Sequence, residues 1–99
     1  MRLREIAHSR TGDKGDTSNI SVIAYDPETY PLLVERVTVE RVAAHFARIA
    51  TGPVRRYELP NVGALNFVLE GALAGGVTRA LTLDAHGKSL SSLMLDLEI

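Results

Sequence analysis

From Thr38 to Ala50, Val39, Val42, Ala43, Phe46, Ile49 and Ala50 recur at the spacing of one helix face, with Glu40, Arg41, His45 and Arg48 on the other side. Thr38 supplies an N-cap hydroxyl, and Gly52-Pro53 is a stop. A helix with a single apolar stripe needs a second layer to cover it. The chain offers that layer as runs of strand formers on either side. ISVIAY (20–25) is apolar at nearly every position, as a strand covered on both faces would be, and Asp26-Pro27 breaks it. RLREIAH (2–8) reads as a first strand. VRRYEL (54–59) reads as another, with Tyr57 and Leu59 on one face and the arginines Arg55 and Arg56 on an ordinary sheet surface.

The remaining segments complete the pattern. Residues 28–37 are short, Pro-interrupted and helical in part, with Leu32, Leu33, Val34 and Val37 as their apolar residues. After Pro60-Asn61, with Asn61 as cap, a second helix is predicted from about Gly63 to Ala74, burying Leu65, Val68, Leu69, Ala72 and Leu73. Its other side carries Gly63, Phe67, Gly71 and Ala74, a small-residue groove flanking one aromatic, which suits close approach by a partner. Asn66 stands one turn before Glu70, either at a helix edge in solvent or as a polar contact at that interface. Gly75-Gly76 ends the helix, TRALTLD (78–84) resumes strand alternation, and Ala85 to Lys88 reads as a hairpin turn. Leu93, Leu95, Leu97 and Ile99 alternate with Met94, Asp96 and Glu98 as in a half-buried strand. The expected order is β-β-α-β-α-β-β. It predicts a two-layer α+β sandwich, with two helices on one face of a mixed or antiparallel sheet.

Composition narrows the function classes. A chain of 99 residues is one domain, able to bury roughly two-thirds of its unfolded surface. There is no cysteine, which excludes disulfides, thiolate metal sites and a cysteine nucleophile, and fits a cytoplasmic protein. With 11 basic and 12 acidic side chains and 5% aromatics, the chain lacks the footprint of a nucleic-acid binder. No apolar run approaches the roughly 18 residues of a membrane span, and MRLREIAHSR has no signal-peptide core.

The stretch HSRTGDKGDTSN (8–19) stands apart: polar, charged, punctuated by glycine, and free of large apolar residues. A plain connection between two strands needs only about two to five residues. Three readings are open. As a ligand site, Gly12 and Gly15 would form a backbone anion nest, Arg10 and Lys14 would supply charge, and Asp13, Asp16 and Asn19 would fix the loop or contact a ligand. As a docking loop, the same residues would meet a partner. As a solvated turn, glycine and aspartate serve the turn alone. The spacing matches neither a phosphate-binding Walker loop nor an EF-hand, so no metal site is expected. His8, His45 and His86 are scattered. Of the three only His8, at the mouth of the loop, is placed as an acid or base. No nucleophile elbow occurs, so the chain by itself is not expected to be a complete enzyme.

In combination, HSRTGDKGDTSNISVIA, VRRYELPNVGALNFVLEGALAGGVTRALTLDAHGKSL and the terminal LEI resemble the small ferredoxin-fold domain of AtuA-like proteins, a bacterial family named for acyclic terpene utilisation. Thr11 stands where that family's loop commonly has Ser before Gly-Asp-Lys-Gly. The small domain usually follows a much larger one or is encoded beside it, and a start at Met1 suits the separately encoded arrangement. The resemblance implies a ferredoxin-like fold and a cytoplasmic, catabolic setting, often linked to acyl-CoA pathways; no cofactor is expected. The expected role is an accessory small subunit of a large AtuA-like protein, with loop 8–19 contributing to a site or docking surface at the junction. The alternative is a self-sufficient homo-oligomer, binding or acting on a carboxylate or acyl-CoA.

Overall fold

The computed structural model describes residues 1–14, 17–47, 52–71 and 88–99. Four antiparallel strands form one sheet: β1 (Ala7–Lys14), β2 (Thr17–Ala24), β3 (Val54–Leu59) and β4 (Ala64–Glu70), in spatial order β1-β2-β4-β3. Three α-helices accompany them among the described residues: α1 (Tyr30–Arg36), α2 (Val39–His45) and α3 (Lys88–Leu95). The architecture is α+β and ferredoxin-like.

The alternation of side chains along each strand separates a packed face from an open one. Register joins Ser9 to Val22, Ile20 to Phe67 and Phe67 to Arg56, so Ala7, Val22, Ile20, Leu65, Phe67, Leu69 and Val54 share one face. That face packs on Leu33, Val37, Val42, Phe46, Leu90, Met94 and Leu97 from the helices and the tail. The opposite face carries His8, Arg10, Gly12, Asn19, Ser21, Asn66, Val68, Arg55 and Tyr57, and no described element packs on it.

Local chemistry fixes the helices. The Thr38 hydroxyl accepts from the Arg41 N–H at 3.2 Å, the expected cap of α2. At the end of α1 the carbonyls of Val34 and Val37 accept from the Arg56 guanidinium at 2.8 and 3.0 Å, so β3 holds that terminus. Val42 and Phe46 are buried as expected, while Arg48, Ile49 and Ala50 lie outside the described residues.

Several expectations are corrected. The first strand is displaced: residues 3–5 form a 3-10 turn, and β1 starts at Ala7. Residues 8–19 are not a loop but most of a hairpin, paired from Ala7–Ala24 to Lys14–Thr17, with Gly15 and Asp16 outside the described residues. Gly12 therefore lies within β1 opposite Asn19, and it is not among the positive-φ glycines a backbone nest requires. β2 is covered on one face only: Ile20 and Val22 are buried while Asn19 is exposed.

The helix expected from Gly63 to Ala74 is instead strand β4. Its burial alternates, with Leu65, Phe67 and Leu69 inward, and Gly63 at φ 62° closes the 3-10 turn at Pro60–Val62 ahead of it. Asn61 belongs to that turn and caps no helix. The small-residue interface therefore dissolves. Phe67 is fully buried in the core, Gly71 (φ 75°) ends the strand, Asn66 points to the open face, and Ala74 lies outside the described residues. The C-terminal strand is also corrected. Lys88–Leu95 is helical, with Leu90 and Met94 one turn apart on its core side and Leu97 of the following tail joining them in the core. Only the last residues are extended, through a bridge between Arg2 and Glu98. The segments 75–76, 78–84 and 85–87 lie outside the described residues.

Candidate ligand site on the open sheet face

A depression of about 480 Å³ opens on the uncovered face of the hairpin, lined by Arg10, Thr11, Gly12, Thr17, Asn19, Ser21 and Val68. Its position follows from the pleat and the register. Gly12, Asn19 and Val68 stand in one row across β1, β2 and β4, and Arg10, Ser21, Asn66 and Tyr57 in the next. Gly12 makes the hollow: a Cβ built there would meet no atom within 4 Å.

Asn66 organises the polar wall. Its Nδ2 donates to Asn19 Oδ1 and, at 3.0 Å, to Ser21 Oγ. Arg10 is exposed and has no hydrogen-bond or ion-pair partner among the described residues. Arg55, one row away, is occupied by Glu70 at 3.4 Å. At the far end of the same face His8 stacks on Tyr25, ring centroids 5.4 Å apart at 21°.

Of the residues expected at a ligand site, the fold thus gathers Arg10, Gly12 and Asn19. Asp13 and Lys14 are described only by their backbone positions in β1, and Gly15 and Asp16 lie outside the described residues. Ser21 and Thr17 were not among the expected residues, and Asn66 was expected at a helix interface rather than beside this hollow. Their signal was the alternation of Ser18, Ile20 and Val22 with Thr17, Asn19 and Ser21, and of Leu65, Phe67 and Leu69 with Asn66 and Val68, which separates polar from apolar partners only if both segments are strands.

A second hollow of about 440 Å³ lies between α2 and the C-terminal tail, lined by Arg41, Ala44, His45, Asp96, Leu97 and Glu98. His45, expected on a solvated face, is half-buried with Nε2 2.5 Å from the Leu93 carbonyl, so it ties α2 to α3. The hydrogen bond from the Arg4 guanidinium, aided by the nearby charges of Arg2 and His45, holds the Asp96 carboxyl below the ordinary carboxylate range. These contacts join elements and need no ligand. Among the described residues no three His, Asp or Glu side chains gather as a metal ion would require.

The family model of the AtuA ferredoxin-like domain matches residues 1–99, the whole chain. The chain belongs to that family. Neither a curated protein nor a solved structure matches it. In this AtuA ferredoxin-like domain the hollow on that sheet face lies beside Arg10, which is unpaired among the described residues. No helix of the described residues is long and apolar enough to cross a membrane.

Proposed function

We propose that this AtuA ferredoxin-like domain works as the accessory small subunit of a large AtuA-like protein of acyl-CoA catabolism, its β1-β2 hairpin lining a site at the junction. What supports the reading most is a sheet face on which no described element packs. The helices cover one face, while the other presents Tyr57 and Leu59 at 50% and 43% exposure beside the Arg10–Asn19–Ser21 hollow. An uncovered face of this kind suits a partner better than water alone. The large partner is proposed from the resemblance, in which the small domain usually follows a larger AtuA-like domain or is encoded beside one.

Native mass spectrometry of this chain, alone and mixed with a large AtuA-like protein from the same genome, tests the proposal. A stable mixed complex is expected, and weakening it by Tyr57→Lys would place the open face at the contact. A chain that ignores the large protein and assembles with itself would overturn the accessory role. It would favour a homo-oligomeric binder of carboxylates or acyl-CoA, for which the same exposed Tyr57 and Leu59 would pair two sheets.

A further inference from the structure

We infer that the hollow over Gly12 is a binding site for a singly charged carboxylate bearing a short alkyl chain. The inference deepens the junction reading and rests on it for its setting, while its test is read on this chain alone.

Three features define the ligand. The first is charge. Arg10 is the cation among the described lining residues and is unpaired among them, whereas the nearby Arg55 is neutralised by Glu70 at 3.4 Å. One free guanidinium matches one negative charge and offers its planar fork to a carboxylate.

The second is hydrogen-bond polarity. Because Asn66 Nδ2 donates to Asn19 Oδ1 and Ser21 Oγ, the Asn19 acceptor is engaged, and the Asn19 amide nitrogen and Ser21 hydroxyl proton remain to be donated. The wall is thereby biased toward donors. An anion satisfies donors, and a cation or a second donor group does not.

The third is space. The missing side chain of Gly12 leaves the floor clear, and Val68 lines the hollow with apolar surface against which an alkyl chain packs. The Asn66 network itself touches no charged group, so it serves as a template for the donors and not as part of an ion-pair cluster.

Butyrate and butyramide are the probes, nearly equal in shape and different in charge. In a heteronuclear NMR titration at constant ionic strength, butyrate is expected to give saturable shifts at the Gly12 and Asn19 amides and at the Asn66 side-chain amide. Butyramide should bind about tenfold more weakly or not at all, the loss of one charged hydrogen bond. Arg10→Gln, an exposed substitution, should weaken butyrate by about tenfold. Gly12→Val should abolish the shifts while the spectrum stays dispersed, because the valine projects into the hollow from a position where a Cβ meets no atom within 4 Å. Absence of saturable butyrate shifts, equal response to the amide, or undiminished binding by Arg10→Gln would each overturn the site. A chain that binds butyrate yet forms no complex with a large AtuA-like protein would overturn the docking and leave the site standing.

Discussion

Gly52 occupies a position that a side chain cannot enter. A Cβ there would lie 2.7 Å from the Glu70 carbonyl oxygen, the same oxygen to which the Gly52 N–H donates at 2.9 Å. The obstacle is backbone, so a larger residue must push β4 away from the start of β3. Gly52→Ala is expected to cost about 1–3 kcal/mol, read as a lower urea midpoint with an unchanged slope. An unaltered midpoint would mean that the two strands separate there without penalty. Gly52-Pro53 was expected to stop a helix, but α2 already ends at His45, and no local pattern announces that Glu70 approaches Gly52. The same limit applies to Asn66. Its polar side chain was visible, but the Asn19 and Ser21 that it binds are 47 and 45 residues away, and register alone unites them.

Elements were read well where one period ruled out the other. β3 has the expected bounds, α2 the expected cap, and the broken segment after Asp26 is the 3-10 turn Pro27–Thr29 followed by α1. β4 was misread because Leu65, Val68 and Leu69 fit a helix stripe while Leu65, Phe67 and Leu69 fit a strand, and alanine, leucine and glutamate favour the helix by propensity. Pairing with β2 on one side and β3 on the other outweighs that propensity. The tail errs in the opposite sense. Alternation through Leu93, Leu95 and Leu97 hid the one-turn spacing of Leu90 and Met94, which packing on the sheet selects. Between elements, the Arg56 side chain, only 18% exposed, joins β3 to the end of α1. Arg56→Met keeps much of the buried stem and removes the donors, so about 1.5–3 kcal/mol of stability should be lost. Hydrogen exchange should show the last turn of α1 losing protection first, and uniform loss across the sheet would contradict this tie.

For the molecule as a whole, class and layering were readable, since an apolar helix stripe and amphipathic strands leave few other packings. Which sheet face stays open was not readable, because it depends on the strand order β1-β2-β4-β3. Acid stability is also a whole-molecule property, set where chain start and chain end meet. Arg4 and Arg2 lower the Asp96 pKa below its unfolded value, so folding gains from the ionised carboxylate above that value and loses the gain as pH falls through the folded pKa. Asp96→Asn should therefore melt below the wild type at neutral pH, and the gap should close in acid beneath the ordinary carboxylate range. A gap that is constant with pH would assign the effect to something other than this charge.

The Arg2–Glu98 bridge has a mechanical consequence. Leu3 N–H donates to the Leu97 carbonyl and Ile99 N–H to the Met1 carbonyl, each at 2.9 Å, while the Met1 ammonium lies 3.3 Å from the Glu98 carboxylate. The two ends lie together at the same end of an antiparallel pair. A pull applied through them would load these bonds one after another, as a zipper is opened, rather than all at once in shear. Under tension the seam between the ends would part first, with the four-stranded sheet behind it still closed.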